Sequence, residues 1–185
     1  MPTFTYSETL DYNGSVVERT KDYATGINNE KFDISFATDG ADAGTYTTVD
    51  GITNIAVNEK SHVSAKADNY KISTGEYTTN ITIKINQKQI DPEDDDDIEI
   101  YVENPENLVY NAEEQTPTIK VKDNGEDIDN TDNKNYTITY SSPSAIDADD
   151  YTFTVTAVTT GNYIGSYTGT WTILPASVTY NFESS

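Results

Sequence analysis

The feature that most constrains this chain is a period of two. Tyr136, Ile138 and Tyr140 alternate with Thr137 and Thr139, and Tyr151, Phe153, Val155 and Ala157 alternate with Thr152, Thr154 and Thr156. Tyr167, Gly169, Trp171 and Ile173 are spaced in the same way by Thr168, Thr170 and Thr172. The first half follows suit with Phe32, Ile34 and Phe36 and with Ile81, Ile83 and Ile85. Successive side chains on a strand point to opposite faces, so each segment has one aromatic or aliphatic face and one threonine face. Both residue classes favour strands. No 3.6-residue stripe competes, and the best helical window is the short stretch 58–66.

Turn-forming stretches separate the strands: "TDGADAG", "KDNGEDIDNTDNKN" and "SSPSAIDADD". Short strands joined by polar turns predict an all-β chain built of antiparallel sheets packed as Ig-like sandwiches. A smaller mixed β fold is the alternative for the second half, which is short for an Ig-like domain. Hydrophobic residues make up 35% of the chain, which is thin for one large core but enough for two small ones. Of the aromatic residues, 14 are Tyr, and a chain this rich in aromatic and β-branched residues is expected to fold.

Three segments recur in order. "LDYNG" (10–14) matches "LVYNA" (108–112), and "FDISFATDGADAGTY" (32–46) matches "YTITYSSPSAIDADDY" (136–151). "ADNYKISTGEYTTNITI" (67–83) matches "TGNYIGSYTGTWTI" (160–173), which sets Ile83 against Ile173. The order implies a tandem duplication, with copy one over 1–89 and copy two over 98–174. The longer gap in copy one implies an insertion near 47–66. Between the copies, residues 90–97 carry the run "DPEDDDD", whose like charges predict an extended acidic linker. The tail 175–185 echoes both "FTYSE" (4–8) and the Tyr-Asn pairs, and reads as the truncated start of a third copy.

The run "VYNAEEQTPTIKV", "NYTITY", "DADDYTFTVTA", "GNYIGSYTGTWTI" resembles the MBG-type repeats of bacterial extracellular proteins. Copy two matches over most of 99–174. It departs from the pattern at Ala112, where the family usually has Gly, and at Asp149 and Asp150, where Gly is also usual. Copy one keeps Asn13-Gly14, "DAGTY" and "DNY" but lacks the "QTP" segment. The resemblance implies a tandem β module in a large secreted or surface-anchored protein, often a stalk or adhesin. It supplies no catalytic residues.

The chemistry carried by single residues is sparse. There is no cysteine, so thiolate metal sites and Cys/His nucleophile pairs are excluded, and His62, the only histidine, reads as a solvated residue of the insertion rather than a catalytic base. No catalytic residue and no cofactor are expected. Calcium is the one ion the composition points to. Asp94 and Asp96 in the first acidic run, and Asp123, Asp127, Asp129 and Asp132 in the second, offer the hard oxygen ligands it prefers, without the spacing of a helix-loop-helix site. Trp171 shares its face with Tyr167 and Ile173, which assigns it to the core rather than to sugar stacking. Tyr23, Tyr77 and Tyr101 fit the alternation less well and are the surface aromatic candidates. Lys120 and Lys122 alternate with Ile119 and Val121, so they face outward and are poorly placed for a Lys–Asn isopeptide crosslink. Asn13, Asn80 and Asn135 head glycosylation-type triplets.

The net charge is −21, which repels nucleic acid and anionic lipid. No apolar run approaches membrane-spanning length. The expected role is a non-enzymatic spacer or stalk segment of an extracellular or cell-surface bacterial protein, its partners being neighbouring modules of the same parent. The alternative is an adhesive module for glycan or host protein.

Overall fold

The computed structural model describes residues 3–25, 30–48, 54–58, 66–67 and 78–180. The chain is all-β and divides into two compact units, Met1–Lys88 and Gln89–Ser185. The helical window at 58–66 and His62 fall almost entirely outside the described residues. Its first member, Asn58, prolongs a strand, donating its N–H to Lys31 O at 3.0 Å.

The first unit contains β1 (Thr3–Asp11), β2 (Glu18–Thr25), β3 (Lys31–Ala37), β4 (Gly44–Thr48), β5 (Asn54–Val57) and β6 (Thr78–Asn86). They form two three-stranded sheets, ordered β1-β6-β4 and β2-β3-β5. Alternation decides what each sheet buries. Phe32, Ile34 and Phe36 of β3 and Ile81, Ile83 and Ile85 of β6 are buried, while the residues between them are more exposed. Phe36 joins Val17 and the three isoleucines in one cluster, flanked by Tyr6, Leu10, Tyr12 and Tyr46, so the two sheets share a core. The Tyr6 and Phe36 rings meet edge to face at 5.1 Å between centroids. Each fully buried aliphatic or aromatic side chain contributes about 1.5–3 kcal/mol.

The second unit begins at the second residue of β7 (Lys88–Gln89) and continues with β8 (Ile98–Val102), β9 (Ile119–Asp123), β10 (Glu126–Asp127), β11 (Tyr136–Tyr140), β12 (Asp150–Ala157), β13 (Tyr163–Ile164) and β14 (Ser166–Thr172). Its two main sheets run β10-β9-β8 and β11-β12-β14. Ile98, Ile119 and Val121 of the first are buried, as are Tyr136, Phe153, Val155, Ala157 and Trp171 of the second. Gly169 is the small residue that the core requires. It lies opposite Phe153, and a Cβ there would come within 2.5 Å of the Phe153 ring.

The structure corrects four expectations. First, the sheets are not purely antiparallel. β1 runs parallel to β6 along its whole length, and Val109 bridges Leu174 in parallel. Secondly, the acidic stretch 90–97 is not an extended linker. It is a folded turn of the second unit, in which the Asp94 and Asp95 N–H groups donate to Asp91 O and the Ile98 N–H to Asp95 O. The Asp91 and Asp95 carboxylates accept the backbone N–H groups of Glu93 and Asp97. Like-charge repulsion loses here because the aspartates bond their own backbone and the flanking Ile90 and Ile98 are anchored in the core.

Thirdly, the correspondence between the halves shifts by two residues. Tyr46 pairs with Ile83 and Tyr151 with Trp171, while Tyr12 donates to Asn86 O and Tyr110 to Leu174 O. Ile83 therefore corresponds to Trp171, and Ile85 rather than Ile83 to Ile173. Fourthly, the extra length of the first half is divided. β12 pairs with both β11 and β14, whereas β4 pairs with β6 and β5 pairs with β3. Val57 lies opposite Phe32 as Ala157 lies opposite Tyr136. The path from Tyr46 to Val57 is five residues longer than the path from Tyr151 to Ala157, so one strand of the second unit is two in the first. The rest of the extra length follows Val57.

Local geometry recurs at the corresponding positions. The Tyr46 hydroxyl donates to Asp42 O at 2.8 Å, and the Tyr151 hydroxyl to Asp147 O at 2.9 Å. Asn13 accepts the Ser15 N–H, and Asn111 accepts the Glu113 N–H. Between the residues of these Asx turns, Gly14 and Ala112 both take positive φ, 74° and 63°. Left-handed backbone costs a Cβ-bearing residue roughly 1–2 kcal/mol. Ala112→Gly should therefore stabilise the second unit by about 1 kcal/mol, and Gly14→Ala should destabilise the first by a similar amount. Urea denaturation of the two variants reads this out, with opposite shifts in midpoint expected. Equal shifts of one sign would refute it.

Candidate functional site

Beside the acidic 90–97 turn, charged side chains pair with one another on the outer face of β8-β9-β10 and the loop that follows it, and on a pair of strands in the first unit. Each is built by the same alternation that builds the core.

β9 and β10 are joined by Asn124-Gly125, both at positive φ, which is the geometry that closes a two-residue hairpin with the right twist. On the outward face, Lys120 lies opposite Tyr101 and Lys122 opposite Glu99. Lys120 Nζ stands 3.9 Å from both Glu103 and Asp127, and Lys122 Nζ sits 5.6 Å from the Tyr101 ring centroid. The Tyr101 hydroxyl beside it raises the Lys122 ammonium above its ordinary value. Both lysines are on the solvent side, as their spacing implied, and Tyr101 is exposed.

Beyond β10 the chain is tied by side-chain amides. Asn130 Oδ1 accepts the N–H groups of Asn135 and Tyr136, and its Nδ2 donates to Tyr136 O at 2.9 Å. Asn135 Nδ2 donates to Asp129 O at 2.7 Å. The Asp129 carboxylate accepts the Thr131 N–H and hydroxyl on one oxygen and the Lys134 ammonium on the other. The Lys134 contact, followed by Thr131, holds it well below the usual carboxylate range.

The six candidate calcium ligands are not brought together. Asp94 and Asp96 lie in the 90–97 turn. Asp123 accepts from Tyr163 Oη at 3.0 Å and from Asn124 Nδ2, Asp127 faces Lys120, Asp129 is occupied as described, and Asp132 is exposed at φ 59°. Among the described residues no three His, Cys, Asp or Glu side chains converge on one point. Trp171 is in the core, stacked on Tyr151 at 4.8 Å, with its buried Nε1–H lacking a partner among the described residues. Tyr77 and the side chains of Tyr23 and Asn80 lie outside the described residues.

One constellation escaped the sequence reading. Tyr6, Glu8 and Leu10 share the parity of β1 that packs toward the core, so Glu8 is an acid set into an apolar face. A charge in that position needs a partner. Arg19 of β2 supplies it with two bonds, Nε to Oε2 at 2.7 Å and Nη2 to Oε1 at 2.9 Å, and the Tyr6 hydroxyl adds a third at 2.7 Å. Lys21 lies 5.2 Å from the Tyr6 ring centroid. The pair ties β1 to β2, which belong to different sheets. The available signal was the parity of Glu8, a lone acid between two core residues.

No family model matches the chain, and neither a curated protein nor a solved structure was found to match it. The resemblance to MBG-type modules therefore rests on its own residues. No helix among the described residues is long and apolar enough to cross a membrane.

The hydrogen bonds from Arg19 hold the Glu8 carboxyl below its ordinary value, against the opposing effect of burial. A carboxyl depressed on folding contributes stability that is complete above its unfolded value, about 4.3, and is lost as pH falls through the folded value. Glu8→Gln should cost roughly 1 kcal/mol at pH 7, the scale of a well-formed, partly exposed ion pair. The gap between variant and wild type should narrow as pH falls through the folded value and close below it. Chemical denaturation across pH 2.5–7 tests this, and a gap independent of pH would show that the pair carries no linkage.

Proposed function

We propose that the chain is two copies of one module and acts as a non-enzymatic spacer within a larger secreted or cell-surface protein. The observation that carries this reading is the recurrence in both units of the Tyr hydroxyl bond to the residue four earlier, the Asx turn with its left-handed centre, and the parallel closing contact. These features build a scaffold. Side chains with chemical capacity are spent on it: Asp129 on Thr131 and Lys134, Glu8 on Arg19, and the Asn130 and Asn135 amides on backbone. The resemblance to MBG-type modules supports an extracellular setting. Modules in series suit a stalk because length grows with copy number.

An adhesive role for glycan or host protein is the second reading. Its support is the Tyr101 ring, exposed on an outward sheet face beside Lys122, since exposed aromatics with adjacent polar groups suit sugar stacking. The two readings part in one pair of measurements. Pulling the chain by its ends should give two discrete unfolding events, one per unit, and a glycan and host-protein array should give no saturable binding. Saturable binding abolished by Tyr101→Ala would replace the spacer reading with the adhesive one.

A further inference from the structure

The two units differ in how they finish one sheet. In the first, the edge of β6 is covered by β1, paired in parallel from Thr3↔Thr78 to Asp11↔Asn86. The corresponding strand of the second unit is β14. Among the described residues its outer side carries only the contact at Leu174, whose N–H donates to Leu108 O and whose carbonyl accepts from Tyr110. Before that point the chain turns away through the 3-10 turn Pro105–Asn107, and the preceding strand, β8, pairs with β9 in the other sheet.

The pairing parity shows what is left open. Ile173 donates to Asp149 O and Ala157 to Gly165 O, so the odd-numbered residues of β14 turn their backbone groups toward β12. The N–H and C=O groups of Thr168, Thr170 and Thr172 therefore point outward, and no described residue pairs with them. Natural edges are blunted by charge, proline or a bulge. β14 has none of these: residues 151–182 contain no Asp, Glu, Lys or Arg, in a chain whose charged share is 23%.

A matching strand lies in the same charge-free stretch. Residues 176–180 follow β14 and belong to no strand, and Val178 and Tyr180 are 75% and 79% exposed, the most exposed large hydrophobics among the described residues. Val178-Thr179-Tyr180 has the alternation of Phe4-Thr5-Tyr6, with which β1 begins its parallel pairing. The segment cannot pair with its own β14. Parallel neighbours need a crossover of roughly a dozen residues or more, and only residues 173–175 intervene.

We propose that the outer edge of β14 receives, in parallel, residues 176–180 of a second copy of this chain, reproducing between molecules the β1–β6 pairing of the first unit. Each copy carries one acceptor edge and one donor segment, so the association gives reciprocal dimers or open head-to-tail chains. The absence of charge on both partners keeps the overall −21 from opposing close approach at this contact. The inference rests on the pairing geometry and does not depend on the spacer reading.

Sedimentation of the full chain from micromolar to millimolar concentration, in physiological salt, tests it. A concentration-dependent rise above the mass of one 20.4 kDa chain is expected. Thr170→Pro removes an outward N–H, and Val178→Asp with Tyr180→Asp spoils the donor. Each variant alone should self-associate at least tenfold more weakly, while a mixture of the two should recover association, because one keeps the donor and the other the edge. An excess of a peptide spanning residues 174–180 should dissociate the wild-type assembly, which keeps the test independent of any variant's folding. A chain that stays monomeric throughout, or a donor variant that associates like the wild type, would overturn the proposal.

Discussion

A three-stranded sheet with one apolar face cannot stand alone in water, and everything else in this molecule follows from that. Each strand supplies three or four core side chains at most, so each sheet must find a second sheet to cover it. Phe36 meeting Tyr6 across the first unit is that requirement met at the scale of two rings. The threonine faces need no cover. They stay in water, where cross-strand hydroxyl pairs such as Thr154–Thr168, 3.0 Å apart, add small increments to the sheet.

Small cores leave little surplus stability, so the ends of strands have to be secured individually. Tyrosine does this repeatedly. Its ring enters the core margin while its hydroxyl reaches a carbonyl or carboxylate: Tyr46 to Asp42, Tyr151 to Asp147, Tyr140 to Pro117, Tyr163 to Asp123. Each such bond is worth on the order of 1 kcal/mol, which explains the choice of Tyr over Phe where the ring alone would fill the space. Burial raises the Tyr46, Tyr151 and Tyr140 phenols above their ordinary values, so these donors keep their protons throughout the physiological range.

Much of this was legible in the sequence because a period of two is a local property. The inward faces at Phe32, Ile34 and Phe36, at Ile81, Ile83 and Ile85, and at Phe153, Val155 and Trp171 are those the alternation named. What was not legible depends on pairing between distant segments. The two-residue shift that matches Ile83 to Trp171 preserves the parity of every side chain, so no pattern of burial could reveal it; only the partner strand does. The parallel direction of β1 is hidden for the same reason. The 90–97 turn is not legible from charge alone, because the carboxylates of Asp91 and Asp95 bond their own backbone. At the candidate site, the outward direction of Lys120 and Lys122 followed from alternation. The dispersal of the aspartates did not, because loop geometry is set by amide bonds such as those of Asn130.

The differences between the units share one origin. Where the first unit spends its leading segment on a nine-residue strand beside β6, the second spends its own on β8, which completes the sheet of β9. A leading segment of that length covers one edge and leaves the other bare, and the units have made opposite choices. In the first, β2 pairs directly with β3, so its sheet needs no extra strand and β1 is available for β6. In the second, β9 has β8 and β10 as its neighbours and makes no ladder with β11, so without β8 its Ile119 and Val121 would lie in a two-stranded ribbon, which is marginal in water. Retaining the core of the second unit thus required the strand that would otherwise have closed β14. The open edge is the consequence of how that core is held together.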